Sequence, residues 1–436
     1  MKKVSLALIG AGQRGMDSYG MYALHRPDDV QFVAVAEANS DRREKFCAAH
    51  GIPEERCFSD WRDLLAQPRL ADGLLVCTQD RAHFAPTIAA LEAGYHVMLE
   101  KPMSPDPAEC LEMAAAAIRL EKIQPVCHVL GYTTFFAAIK RLLDDGRIGR
   151  LISIQHNENV AFSHYAHSYV RGNWRHTRQS SPMILAKSCH DMDILLWLAG
   201  ADCVAQSSFG SLTHFRPENA PAGAPDRCLD GCPSADACAY YAPRFYLTAA
   251  DVWPASVISD DTSHEALLSA LREGPYGRCV YRSDNDVVDH QVVNLEFANG
   301  VTAVFTMCAF TDDVSRTIKL MGTDGEIRGV ISRERNELEV LHFPSRSRKV
   351  LTLESEGGPQ GHGGGDFGVM RAFAALVRDN DWRNVSTSAA ASAQGHSMAF
   401  AAEASRLERR TISIPDFHEG LRPEPSAPVL DDLPKG

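Results

Sequence analysis

The first fifteen residues restrict the fold of this chain more than any other stretch. Val4-Ser5-Leu6-Ala7-Leu8-Ile9 is a short apolar strand that runs straight into Gly10-Ala11-Gly12-Gln13-Arg14-Gly15, and residues 13–25 read as a helix. In a strand–Gly-x-Gly-x-x-Gly–helix unit the first glycine makes the tight turn and the second lets a pyrophosphate approach the backbone. The third lets helix and strand pack closely, and the helix N-terminus offers unpaired N–H groups to the phosphates. A second strand, Gln31 to Ala36, ends at Glu37, about twenty residues past the last glycine, where a ribose-binding carboxylate belongs. Gly10, Gly12, Gln13, Arg14, Gly15 and Glu37 are therefore the expected dinucleotide contacts. Glu37 would accept from a ribose 2′-hydroxyl and repel a 2′-phosphate, which favours NAD over NADP, although Arg42 and Arg43 lie near enough to moderate that preference.

Strands expected at 4–9, 31–36, 73–77, 95–99 and 125–129 alternate with helices near 13–25, 40–50, 60–66, 81–93 and 106–121, the rhythm of a parallel sheet covered on both faces. A linking helix, Phe135 to Asp145, leads to a strand of period two at Leu151–Glu158. Beyond 200 the segments 203–209, 290–297, 301–308, 316–321, 326–331 and 336–342 read as strands, several joined by Asn-Gly or Asp-Gly turns, which points to a mostly antiparallel sheet. Helices are expected near 365–378 and 388–406, followed by a strand at 411–414. The expected division is 1–128, a dinucleotide-binding α/β domain, and 129–415, an α+β domain built on a large open antiparallel sheet. An insertion occupies 211–289, and 416–436, bearing Pro423, Pro425, Pro428 and Pro434, reads as an extended tail.

A net charge of −12 argues against nucleic acid or an acidic membrane surface as partner. No apolar run approaches the roughly 20 residues of a bilayer span. The two lysines before the first strand could be misread as a secretion signal, but Gln13-Arg14 stands where a cleavage site should be, so a cytoplasmic location is expected. Most of the twelve cysteines are scattered, as suits reduced thiols. The exception is Cys228-x3-Cys232-x5-Cys238. With Cys279 or His214 as fourth ligand this cluster could bind a structural zinc; the alternative is reduced thiols packing the insertion.

The strand Tyr95–Leu99 ends at Glu100-Lys101-Pro102, which sets a carboxylate, an amine and a rigid turn at the carboxyl edge of the sheet, where ligands bind in open α/β folds. Together with Gly10–Gly15, His83, Gly146-Arg147-Ile148-Gly149, Asn173-Trp174-Arg175, His190-Asp191-Met192-Asp193 and Glu403–Arg406, this order of motifs resembles the Gfo/Idh/MocA family of nicotinamide-dependent sugar and polyol oxidoreductases. The resemblance covers nearly the whole chain except 211–289 and the tail. It implies a Rossmann domain followed by a substrate and oligomerisation domain, with a homodimer or homotetramer formed through the C-terminal sheet.

By this resemblance Lys101 lies beside the nicotinamide and the substrate hydroxyl, with Lys101–Pro102 as a cis peptide, and Glu100, Thr78 and His83 line the cofactor. His190 is the catalytic histidine, and Asp193, one turn on, contacts substrate. Such relatives often carry an aspartate four residues before the histidine. Here that position is Ala186, followed by Lys187, which could meet an anionic or highly oxygenated substrate. Trp174, Arg175 and His362 are further substrate-side candidates. Gly361–Asp366 reads as a flexible glycine-rich turn whose Asp366 caps the next helix. His164 and His167 resemble a metal or sugar site but lack a carboxylate partner in register. The implied activity is NAD-dependent dehydrogenation or reduction at CH–OH. One alternative is an NAD-dependent glycosidase working by transient oxidation and elimination, and another is a non-catalytic dinucleotide sensor.

Overall fold

The computed structural model describes residues 2–249, 252–259, 261–354 and 362–421. The first unit is a five-stranded parallel sheet formed by β1 (Val4–Ile9), β2 (Val30–Ala36), β3 (Cys57–Phe58), β4 (Gly73–Val76) and β5 (His96–Leu99), in the order β3-β2-β1-β4-β5. Leu6, Ala7, Leu8, Leu74, Leu75, Val76 and Val97 are inaccessible, because a parallel sheet covered on both faces needs continuous apolar runs. The strand expected at 125–129 is reduced to two isolated bridges, Val126 to Leu99 and Pro125 to Ser388. The chain leaves the sheet there because His128 N–H turns back onto the Val126 carbonyl (2.6 Å) and a short helix begins at Val129. The two-residue β3 is too short to carry a periodic signal. One face of this sheet is closed from far down the chain: the helix Gly365–Asp379 lays Val369, Met370, Phe373 and Ala374 on Val4, Leu6 and Leu8.

The second sheet contains β6 (Leu151–Asn159), β7 (Cys203–Ser211), β8 (His290–Phe297), β9 (Thr302–Cys308), β10 (Ser315–Gly322), β11 (Gly325–Ser332), β12 (Asn336–His342), β13 (Ser347–Thr352) and β14 (Ile412–Ser413). Their order is β13-β12-β11-β10-β6-β9-β8-β7-β14. All pairs are antiparallel except β6 with β9. β13 was not expected: as an edge strand reading Ser-Arg-Lys-Val-Leu-Thr it is mostly exposed and shows no alternation. The insertion is no structureless loop. It carries the helices Ala242–Tyr246 and His264–Glu273 and a small core of Cys228, Ala242, Tyr246, Ala255 and Leu271.

Three expectations need correction. The segment from 416 does not begin extended, because Ile414–Gly420 is a helix with Pro415 in its first turn and Ser413 Oγ accepting from Asp416 N–H. The rest of the expected tail, 422–436, lies outside the described residues, as does Gly361. Cys47 and Cys57 are joined by a disulfide rather than reduced, because the helix Ser40–His50 and β3 set their Cα atoms 6.7 Å apart. The other ten cysteines are free. Finally, Gly364 rather than Asp366 caps the helix Gly365–Asp379, and the Asp366 carboxylate is used elsewhere.

Candidate active site

The glycine loop has the form its spacing demands. Gly10 lies at φ +93°, and a Cβ there would meet the Cys77 carbonyl oxygen at 2.7 Å. At Gly15 a Cβ would fall 2.2 Å from the Gly10 oxygen, whereas a Cβ on Gly12 would meet no described atom beyond its chain neighbours within 4 Å. The loop is therefore closed towards the protein and open at its middle glycine. The helix it enters is wound as a π-helix over Arg14–Gly20 before continuing as Met21–His25, with Gln13 at its start. Glu37 bridges back to this loop: Oε2 accepts from Ala11 N–H (2.7 Å) and Oε1 from Asn39 N–H (2.9 Å). Arg43 is turned onto the Glu37 carbonyl (2.6 Å).

Arg14 faces inward. Its guanidinium donates to Glu100 Oε1 (2.6 Å), Tyr19 Oη (2.6 Å), Ser18 Oγ (2.9 Å) and Asp366 Oδ1 (2.7 Å). Glu100 also accepts from Tyr19 Oη and from the Lys101 N–H. Burial alone would raise the Glu100 carboxyl, but Arg14 and Lys101 more than offset it and hold it below the usual carboxylate range. Asp366 is treated alike: against burial, Arg14 and His362 hold its carboxyl well down. Arg14 and Glu100 thus tie the glycine loop to the end of β5 and to the helix Gly365–Asp379. His83, 1% exposed, contacts the Pro102 carbonyl (2.7 Å) and the Thr78 carbonyl (3.0 Å), and Thr78 Oγ1 donates to Ala82. This side chain fixes the backbone of two loops at the sheet edge.

Lys101, followed by a cis bond to Pro102, reaches across the gap between the two units: Nζ donates to the Ala186 carbonyl at 2.9 Å. That contact sets the amine beside the helix Cys189–Ala199, which carries His190. His190 is 4% exposed, with Nδ1 buried and without a hydrogen-bond partner among the described residues, so Nε2 is the more open ring nitrogen. Burial first, then Lys101 and His128, keep this imidazole neutral to well below the ordinary histidine range. His362 lies 6.0 Å from His190 between ring centres and contacts Asp366 at 3.2 Å. Asp193 is buried on the same helix, and burial raises its carboxyl to about 7.

The carboxylate missing at 186 has no substitute at that place; Lys101 meets a backbone carbonyl there instead. Lys187 pairs with Glu158 (3.2 Å), Glu158 with Arg316 (2.5 Å), Arg316 with Asp191 (2.8 Å), and Asp191 with His156 (2.7 Å). Glu158, Asp191 and His156 are wholly inaccessible. Sequence reasoning missed this network. The available signal was period two in β6, which sets His156 and Glu158 on the buried face with Ile154, and Arg316 lies directly opposite Glu158 in the register of β6 with β10. Burial lowers the Lys187 ammonium, partly opposed by Glu158.

Other candidates lie further out. Trp174 Nε1 donates to Asp80 (3.4 Å), and Arg175 is held by Asp284 of the insertion (2.9 Å). His167 contacts Tyr246 Oη (3.0 Å), within the insertion's core. His164 packs edge-on to Trp253 of the insertion at 5.0 Å, and after burial its largest electrostatic neighbour is Lys187. Cys228, Cys232, Cys238 and Cys279 line one small cavity with Arg171, which donates to Cys228 Sγ (3.8 Å), while His214 is held by Tyr281 Oη. Among the described residues no group of three or more His, Cys, Asp or Glu side chains is placed to hold a metal ion.

Residues 4–128 match the NAD-binding Rossmann fold of an oxidoreductase family, and residues 140–414 match the same family's C-terminal alpha/beta domain. YteT of Bacillus subtilis (strain 168), named as an oxidoreductase, is 25% identical over 341 residues, 74% of this chain and 76% of YteT. Inositol 2-dehydrogenase of Streptomyces avermitilis is 28% identical over 232 residues, 52% of this chain and 60% of that enzyme. Among solved structures, levoglucosan dehydrogenase in complex with NADH and levoglucosan superposes with a TM-score of 0.71 at 19% identity, covering 95% of this chain and 100% of that one.

Proposed function

Because the chain belongs to the Gfo/Idh/MocA oxidoreductase family, we propose that it transfers a hydride between NAD and a secondary hydroxyl or keto group of a sugar, polyol or sugar derivative. The observation that carries this reading is the Lys101 Nζ contact with Ala186, which brings an amine at the sheet edge to the helix of a neutral, buried histidine. The glycine loop fits a dinucleotide: Gly12 leaves open the space a pyrophosphate needs, and Glu37 stands at the ribose position. That carboxylate, and Arg43's engagement with backbone, favour NAD over NADP. NAD supplies the hydride acceptor of the reaction.

The protein must take the hydroxyl proton and steady the oxygen. His190 Nε2 accepts the proton, for which a neutral imidazole is suited, and Lys101 donates a hydrogen bond to the same oxygen as charge develops on it. Asp193, His362 and Lys187 contact the remaining hydroxyls. Trp174 and Arg175, committed to Asp80 and Asp284, form the outer wall. The cytoplasmic location is inferred from ten of the twelve cysteines being free, against the single Cys47–Cys57 disulfide, and association through the second sheet from exposed Phe209 and Ile152 on β7 and β6.

Incubating the protein with NAD and a panel of polyols, free sugars, uronic acids and glycosides tests the reading. Net formation of reduced nicotinamide with at least one member is expected, and NADP is expected to serve poorly. Aglycone release without net reduction would indicate an eliminating glycosidase instead, and NAD binding with neither outcome a sensor. Lys187→Ala is expected to raise KM for the active compound with kcat little changed; an unaltered KM removes Lys187 from the substrate contacts.

A further inference from the structure

A histidine outside the motif set stands against the catalytic one. His128 follows the bridge residue Val126 at the point where the chain leaves the parallel sheet. It is 1% exposed, and among the described residues neither ring nitrogen has a hydrogen-bond partner. Its ring lies 5.5 Å from that of His190, edge to face at 82°, and 5.4 Å from that of His396. His396 offers it nothing, because its Nε2 accepts from Met103 N–H and its Nδ1 meets the Ser392 carbonyl. A buried imidazole with two unpaired nitrogens is costly to keep. His190 Nδ1 is buried and unpaired beside it.

The carboxylates near His190 are engaged elsewhere or do not bear on its ring: Asp193, three residues on in the same helix, is not among the groups that act on this imidazole. Position 186 is alanine, Asp191 is bound to Arg316 and His156, and Asp366 to Arg14 and His362. Of the two histidine rings beside His190, His128 is the nearer, at 5.5 Å against 6.0 Å for His362, whose Nδ1 is turned to Asp366. The other charged group near both rings, Lys101, has only donors to offer.

Resting on the dehydrogenase reading, we infer that His128 is a positioning residue that accepts from His190 Nδ1–H, fixing the tautomer whose Nε2 lone pair faces the substrate. When the substrate O–H bond breaks and an Nε2–H bond forms, the proton already on Nδ1 is shared with a His128 nitrogen, and the imidazolium is stabilised without a carboxylate. Here an imidazole takes the part an acidic side chain plays in a Ser-His-Asp arrangement.

The test uses NAD-saturated full-length protein labelled with 15N-histidine, with His190→Gln to assign the resonance. Wild-type His190 is expected as a single tautomer with its hydrogen on Nδ1, and His128→Phe is expected to abolish that preference. Finding the hydrogen on Nε2 in the wild type, or identical His190 spectra in both proteins, overturns the inference. The wild-type spectrum decides even if the phenylalanine variant folds poorly. With any compound the wild type oxidises, His128→Phe is expected to lower kcat about tenfold or more, and His128→Gln, whose amide oxygen can accept, to restore part of it. Equal kcat in all three also overturns it. If no compound is oxidised, the dehydrogenase reading fails while the tautomer measurement still decides the role of His128.

Discussion

Replacing Lys101 with alanine is expected to lower kcat/KM by about 10²–10⁴-fold, the range for losing a positioned acid or base, while NAD binding changes little. The side chain ends at the Ala186 carbonyl and contacts neither the glycine loop nor Glu37. The Arg14–Glu100 ion pair that holds the loop does not depend on its amine, because Glu100 keeps its bond from the residue 101 backbone N–H. Lys101→Arg should not rescue activity, since a guanidinium is broader than an ammonium and presents its donors in a fixed plane. Calorimetric titration with NAD, alongside initial rates, separates the two effects. Loss of NAD binding in parallel with activity would make Lys101 a cofactor anchor instead.

Asp193→Asn is expected to stabilise the fold, and more strongly as pH rises. The carboxyl is raised to about 7 by burial. Between about pH 4 and 7 the folded chain holds a proton that the unfolded chain has released, so wild-type stability falls as pH rises through that window, and the loss is complete above it. At 1.36 kcal/mol per pKa unit, the penalty reaches about 4 kcal/mol at most. The amide has no such penalty. The two proteins should therefore unfold at similar temperatures near pH 4 and diverge by pH 8, with the asparagine variant higher. A constant gap across that range would mean that the carboxyl titrates normally. Retention of so costly a group in the helix of His190 fits a contact with substrate hydroxyls.

The parts of this molecule that repeat a local rule were readable from the residues. Short apolar runs gave the central parallel strands, and the Gly10–Gly15 spacing gave a loop whose open middle glycine is seen in the structure. Period two gave β6 and the strands after 290. What was missed is set by contacts distant in sequence. Arg14 reads as one of the dinucleotide contacts of the glycine motif, and its pairing with Glu100 and with Asp366, 352 residues later, was not legible. Residues 125–129 read as a full strand, yet a local turn at His128 leaves only two isolated bridges, Val126 to Leu99 and Pro125 to Ser388. The Lys187–Glu158–Arg316–Asp191–His156 network was hidden because it depends on the register between β6 and β10. The four cysteines of the insertion do line one cavity, but their spacing alone could not reveal that Arg171 shares it.

The central claim is that Lys101 and His190 act on one substrate oxygen from opposite sides of the gap between the sheet edge and the helix Cys189–Ala199. A structure of the protein with NAD and the compound that reduces it measures this directly. The account predicts one substrate hydroxyl within hydrogen-bond distance of both Lys101 Nζ and His190 Nε2, with its carbon facing the nicotinamide. A substrate hydroxyl bound by Asp193 or Lys187 at the reacting carbon, with His190 out of reach, would contradict it.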